Sequence, residues 1–208
     1  MKPIVTAPSL IEDGLIAQGF SPIAGVDEVG RGPMAGPVVA CAVILPDGQL
    51  IPGVNDSKKL TEKRRTALAE EIKNAAISYA FGIIQPHEID EINILQATLK
   101  AMVLAVGALK VQPSAILVDG TIAPKFSENP HQKIICIPKG DSSSHLIAAA
   151  SILAKVKRDN IMMELHERFA AYNWAKNKGY GTAAHMEAIE KFGLSPLHRK
   201  SFCKKWIT

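Results

Sequence analysis

The sequence predicts an α/β fold: a mixed five-stranded sheet flanked by helices, with a helical C-terminal part. Three observations predict it. Five segments of strand length are apolar and bounded by turn residues: 23–29 (IAGVDEV), 38–45 (VVACAVIL), 78–84 (SYAFGII), 114–120 (SAILVDG) and 133–138 (KIICIP). Helical spacing of apolar residues fills the longer stretches between and after them. The element order reads as an antiparallel meander of the first three strands, with the last two added in parallel.

Taken in order, residues 1–21 are weakly patterned, a short helix or an arm. The second strand segment is almost wholly apolar, which places it centrally. The link GRGPMAGP before it is turn chemistry. Thr61 is an N-cap for a helix through TEKRRTALAEEIKNAA. Pro86 opens a long helix that carries Ile89, Ile92, Leu99, Met102 and Val106 at helical spacing. The fourth strand ends on Asp119 and Gly120. The polar stretch APKFSENPHQ, 123–132, reads as a loop, and KGDSSS follows the fifth strand. A helix then runs from about Ser143 through HLIAAASILAKVKRDNIMMELHERF, and another covers 183–192.

With 208 residues, 47% of them hydrophobic, the chain is long enough for one well-filled core, and its composition is not that of a disordered protein. A formal charge of +4 fits a polyanionic partner without requiring one. Cys41, Cys136 and Cys203 are far apart and form no CxxC pair, which argues against zinc or a disulfide framework and for a reducing compartment. Glu12 and Asp13 interrupt any apolar leader segment, and no apolar run reaches membrane-spanning length. A cytoplasmic location without membrane attachment is the expectation.

The chemistry concentrates in acids at strand ends: Asp27 and Glu28, then Asp119, then Asp141 just past the fifth strand. A carboxylate that ends an apolar strand is costly unless it is paired. Each acid alone has an ordinary reading, as a turn cap or an arginine partner. Together they are better explained by converging on one sheet edge, where oxygen-only ligands suit Mg²⁺ or Mn²⁺. Adjacent strand residues face opposite ways. Asp27 and Glu28 therefore serve one ion only if the strand ends or bulges there, or if Glu28 contributes its backbone carbonyl. Asp27 is the expected bridging ligand.

Other signals are weaker. GRGPMAG is spaced GxGxxxG, unlike a dinucleotide fingerprint, and the two acids before it would repel a pyrophosphate. The six histidines show no metal-ligand spacing and read as surface or capping residues. Lys58, Lys59, Lys139, Lys155, Lys157, Arg158 and Lys178 are ordinary solvated-face candidates. Lys139, beside Gly140 and Asp141, is the one most suited to holding a phosphate.

The segments AGVDEVGRGPMAGPVV, NDSKKL, EIDEINI, VDG, KGD, AAASILAKVKRD, KGYGT and HRKSF, in this order from about residue 23 to 202, together resemble bacterial ribonuclease HII. The resemblance implies a ribonuclease H-like fold, with a catalytic domain over 23–170, an N-terminal arm over 1–22 and a C-terminal helical segment over 171–208 packed on the same domain. It implies two divalent ions, Mn²⁺ or Mg²⁺, held by Asp27, Glu28, Asp119 and Asp141. It also implies that the Gly30–Arg31–Gly32 backbone contacts a ribose 2′-hydroxyl and the adjoining phosphate, and that Tyr180 packs on the next deoxyribose. Lys58, Lys139 and Lys155 join these as expected substrate-binding residues. The 2′-hydroxyl is the group that separates RNA from DNA at one site.

The implied activity is hydrolysis of the RNA strand of RNA–DNA hybrids and nicking on the 5′ side of ribonucleotides embedded in duplex DNA. One ion would activate the water and the other would stabilise the leaving 3′-oxygen, giving 3′-hydroxyl and 5′-phosphate ends. The expected partners are those two nucleic acids, met by a monomer. Two rivals stand beside this: a non-catalytic hybrid-binding module, and a related nuclease of different substrate choice.

Overall fold

The structure, a computed structural model, describes residues 5–126 and 131–207. Residues 127–130 of the polar loop, residues 1–4 of the arm and Thr208 lie outside the described residues.

Five strands form one sheet: β1 (Ile23–Val29), β2 (Val38–Ile44), β3 (Ser78–Ile84), β4 (Ala115–Asp119) and β5 (Lys133–Ile137), in the order β3-β2-β1-β4-β5. β1 pairs antiparallel with β2, and β2 with β3. β4 runs parallel to β1, and β5 to β4. The mixed sheet is the one the segment order predicts. β2 is buried along its whole length, as a strand flanked on both sides and covered on both faces must be.

Strand alternation divides the core. Ile23, Cys41, Val43 and Leu117 face α2 (Glu62–Ala75) and α4 (His145–Arg168). Ala24, Val26, Ala40, Ala42, Ile116 and Val118 face α3 (Pro86–Gly107). Gly25 is where α4 crosses β1. A Cβ there would run into the backbone of Leu146 and Ile147, so this contact excludes every other residue.

The caps follow the sequence. Thr61 Oγ1 accepts from the Arg64 amide at 3.3 Å, Ser144 caps α4, and Pro86 opens α3. The predicted long helix from Pro86 differs in one respect: it kinks at Asn93 (φ 66°), whose Oδ1 accepts from the amides of Leu95 and Gln96 and so recaps the second half. An Asn that can satisfy two amides competes with the continuous helix.

Within the described part of the N-terminal stretch, residues Leu10–Ala17 form helix α1. Ala7 and Leu15 are buried in the α4-side core, and Glu12 Oε1 accepts from Ser144 Oγ at 2.7 Å and from the Leu146 amide at 3.0 Å. Beyond α4, α5 (Trp174–Asn177) and α6 (Ala183–Phe192) close around Met162, Tyr172 and Trp174. No helix of the described residues is long and apolar enough to cross a membrane.

Candidate active site

The β1–β4 ladder stops at Val26↔Val118, while β1 stays in register with β2 through Val29↔Val39. Asp27 and Glu28 thus lie past the last parallel pair, beside Asp119 at the end of β4. Carboxylate oxygens of Asp27, Glu28 and Asp119 all lie within 4.8 Å of one another. The expected obstacle was that neighbouring strand residues diverge. Here β1 neither ends nor bulges before Glu28. Past the parallel ladder the strand end is open, and the longer Glu28 side chain reaches round it to the other two. The Glu28 carboxylate itself, not its carbonyl, joins the cluster.

The cluster is electrostatically unfavourable on its own. Burial pushes the Asp27 carboxyl well above its ordinary value, and the charges of Glu28 and Asp119 push it further; hydrogen bonds from Ser151 and the Glu28 amide work against this. Burial also raises Glu28, opposed by Arg31, whose guanidinium lies 3.7 Å away. Three carboxylates this close form a donor set for a hard divalent ion.

Asp141 stands beside the cluster rather than within it. It is buried in the 3₁₀ turn Gly140–Ser142, whose Gly140 amide donates to Asp119 Oδ1 at 2.7 Å. That bond ties Asp141 to the acids. Lys58 Nζ lies 3.6 Å from Asp141 Oδ2. Burial raises Asp141, as does nearby Asp56, and Lys58 counters them. For Lys58, burial alone would lower its value, but the carboxylates of Asp141, Asp27, Asp56 and Asp119 outweigh it and raise it.

The glycine turn sits at the other side. Gly30 adopts φ 96°, and a Cβ there would collide with the Arg158 side chain, so glycine is required twice over. Arg31 and Gly32 are exposed. Tyr180 is 46% exposed, with ring Cε1 3.6 Å from where a Cβ on Gly32 would stand. The Gly179 carbonyl accepts from the amides of Met34 and Ala35, at 2.8 and 3.3 Å, which fixes the Tyr180 loop against the turn. The other two expected lysines differ. Lys139 is exposed and left-handed (φ 57°) at the head of the 3₁₀ turn, whereas Lys155 is bound to Asp159 at 2.7 Å along α4.

Several residues here escape sequence reasoning. Asp56 faces Asp141, and its only signal is its place in NDSKKL. Ser151, inside the apolar face of α4, bonds Asp27 and lies 3.0 Å from Ser57. Arg158, read as a solvated basic residue, is fully buried, as is Arg199. The histidines need correcting too: His145, His185 and His198 are buried, not surface residues. Trp174 Nε1 donates to His185 Nε2 at 3.0 Å, and His198 Nε2 lies 3.1 Å from the same atom. Burial first, then His185, pulls His198 down to about 4. Local polarity gave no sign that the C-terminal helices would enclose these rings.

A mixed sheet with carboxylates converging at the ends of its neighbouring strands β1 and β4, beside an exposed glycine turn, defines a nuclease of the ribonuclease H-like class. Comparison with known proteins makes this specific. The Ribonuclease HII family model matches residues 24–205, and the chain belongs to that family. It is 54% identical over 194 residues to the ribonuclease HII of Caldanaerobacter subterraneus, covering 93% of this chain and 79% of the relative. It is 52% identical over 202 residues to that of Chlamydia caviae, covering 97% and 93%. Among solved structures, ribonuclease H2 from Pyrococcus horikoshii is similar with a TM-score of 0.72 at 28% identity, covering 88% of this chain and 95% of that one. The Archaeoglobus fulgidus ribonuclease HII, solved in complex with PCNA, gives 0.72 at 27%, covering 86% and 93%. The chain is a nuclease and a hydrolase, which sets aside the non-catalytic reading.

Proposed function

We propose that this ribonuclease hydrolyses the RNA strand of RNA–DNA hybrids and nicks duplex DNA on the 5′ side of an embedded ribonucleotide, leaving 3′-hydroxyl and 5′-phosphate ends. The observation that carries the proposal is the meeting of Asp27, Glu28 and Asp119 within 4.8 Å beside the exposed Arg31–Gly32 turn. Asp27, Glu28, Asp119 and Asp141 would hold two divalent ions, Mn²⁺ or Mg²⁺, with Asp27 shared. The donor set fits: all oxygen, partly desolvated, and mutually repulsive without a cation. Ions so held supply positive charge that lowers the pKa of an attacking water and neutralises a leaving oxygen.

The chain's own residues then divide the work. The carboxylates fix where that positive charge sits. The turn Gly30–Arg31–Gly32 brings backbone against the ribose, an approach that only a chain lacking Cβ allows. Tyr180 packs its ring on the sugar that follows and crowds a second 2′-hydroxyl. Lys58 and Lys139 would meet phosphates of the bound strand. His145, His185 and His198 do not serve as bases: they are buried in their own hydrogen bonds.

The test is cleavage of a uniform RNA–DNA hybrid with and without Mn²⁺ or Mg²⁺. Cleavage of the RNA strand only with divalent ion supports the proposal. Undiminished cleavage in excess chelator would refute the ion-dependent site.

A further inference from the structure

The two buried arginines are the least explained charges in the molecule. Arg199 donates from Nη2 to the Gly30 carbonyl at 2.6 Å, from Nη1 to the Arg31 carbonyl at 3.0 Å, and from Nε and Nη2 to the Gly36 carbonyl at 3.0 and 2.9 Å. Arg158 donates to the carbonyls of Pro37 at 2.9 Å, Ala35 at 3.1 Å and Lys178 at 2.9 Å. Both side chains are fully buried, and among the described residues neither makes an ion pair. The nearest acids are engaged elsewhere: Asp90 accepts from the amides of Lys200 and Ser201, and Asp159 from Lys155. Burying two guanidiniums on carbonyls alone is expensive, so the turn they hold must need holding.

What they hold it for follows from peptide geometry. In a trans peptide the C=O and the next N–H point in opposite directions. Both the Gly30–Arg31 and Arg31–Gly32 bonds are trans. Arg199 draws the carbonyls of Gly30 and Arg31 inward, and so the amides of Arg31 and Gly32 are turned outward. Both residues are exposed, and among the described residues neither amide has a hydrogen-bond partner. The later amides differ: Met34 and Ala35 donate to Gly179, and Gly36 donates to Leu197. Two successive outward N–H groups form a small receptor for an oxygen lone pair, with a buried positive charge behind it.

We infer that Arg199, supported by Arg158, is the positioning residue for sugar recognition: it rotates the two peptides of the Gly30–Arg31–Gly32 turn so that the Arg31 and Gly32 amides receive the ribose 2′-hydroxyl oxygen. The inference rests on the functional reading above. Arg158 adds the link to Tyr180, because its hold on the Lys178 carbonyl and on Ala35 and Pro37 keeps the turn and the tyrosine loop in one register.

The test uses the full chain with Ca²⁺ in place of the catalytic ion, and measures affinity for two duplexes: all DNA, and DNA with one ribonucleotide. Arg199→Lys keeps the charge but cannot reach three carbonyls from one ammonium. The wild type should prefer the ribonucleotide duplex, and Arg199→Lys should lose about tenfold of that preference, the worth of roughly one hydrogen bond. Its affinity for all-DNA duplex and for Mn²⁺ should stay near wild type. Retained preference, or equal losses on both duplexes as a phosphate contact would give, overturns the inference. Equal wild-type affinities would instead sink the functional reading, and this inference with it. Should Arg199→Lys fold poorly, amide spectra of the ¹⁵N-labelled wild type decide. The Arg31 and Gly32 resonances should move on adding the ribonucleotide duplex but not the all-DNA duplex, and the Ala35 and Gly36 resonances should hold still. Unmoved Arg31 and Gly32 amides overturn it.

Discussion

Replacing Asp119 with Asn tests the acid cluster with little change of shape. The amide keeps an oxygen where Asp119 Oδ1 accepts from Gly140, so the 3₁₀ turn that carries Asp141 should stay in place. What is lost is one of three charges lying within 4.8 Å of one another. Two unit charges at that distance repel by about 3.5 kcal/mol at an effective dielectric of roughly 20, and by about 0.9 kcal/mol in water. Burial, then neighbouring charge, disfavours the ionised form of Asp27, so its share of the repulsion is the smaller one. The expected relief is about 1–3 kcal/mol. For a chain of this length that corresponds to a rise in Tm of roughly 2–12 °C without metal. Wild-type protein should be stabilised by saturating Mn²⁺, by about 2.7 kcal/mol at a hundredfold excess over Kd, and Asp119→Asn should lose most of that gain. Activity should fall by orders of magnitude. The paired assay is thermal unfolding with and without Mn²⁺, alongside cleavage of a hybrid. A metal-free Tm equal to or below wild type, an undiminished Mn²⁺ shift, or near-normal cleavage in Mg²⁺ would each refute this account of the cluster.

Three more outcomes are expected. Asp141→Asn should slow turnover while leaving hybrid affinity in Ca²⁺ nearly unchanged. Normal turnover would reduce Asp141 to a residue that merely starts the 3₁₀ turn. Tyr180→Ala should lose kcat/KM on single-ribonucleotide duplexes by about tenfold more than on all-RNA hybrids, while Tyr180→Phe keeps the wild-type ratio; an unchanged ratio in Tyr180→Ala would place junction sensing elsewhere. Relative to an Asp27→Asn variant, the metal-free protein should lose stability as pH rises from about 4; the comparison cancels the opposite contribution of buried His145, His185 and His198, whose lowered values add stability as pH rises. Burial, then neighbouring charge, raises Asp27 in the folded state, so the native protein binds a proton that the unfolded chain has released. Burial gives Glu28 and Asp141 the same sign. The difference in urea midpoint between wild type and Asp27→Asn should fall from pH 4 to 8 without divalent ion, and a metal-free difference that rises with pH would contradict the shift at Asp27.

Much of this was legible in the sequence because the signals were local. The five strands followed from apolar runs bounded by Gly, Pro and Asp, and the caps at Thr61 and Pro86 from residue type alone. The convergence of Asp27 with Asp119 followed once their strands were neighbours. What stayed hidden depended on distance in the chain. Glu28 reaches the cluster because the β4 ladder stops at Val26, and no pattern in either strand announces where a ladder ends. Arg199 lies 169 positions from Gly30, and a basic residue in HRKSF looks like surface until the C-terminal segment folds over the turn. Buried His185 and His198 have the same cause: they meet Trp174 and each other through tertiary packing.

The central claim is that the chain cuts at a ribonucleotide because it reads one sugar. It is tested most directly on an end-labelled DNA duplex carrying a single ribonucleotide, with Mn²⁺, by mapping the cut to nucleotide resolution and identifying both new ends. The account predicts one nick on the 5′ side of the ribonucleotide, with 3′-hydroxyl and 5′-phosphate ends, and no cut in the all-DNA control. Cutting of the control, a nick on the 3′ side, or a 2′,3′-cyclic phosphate end would contradict it.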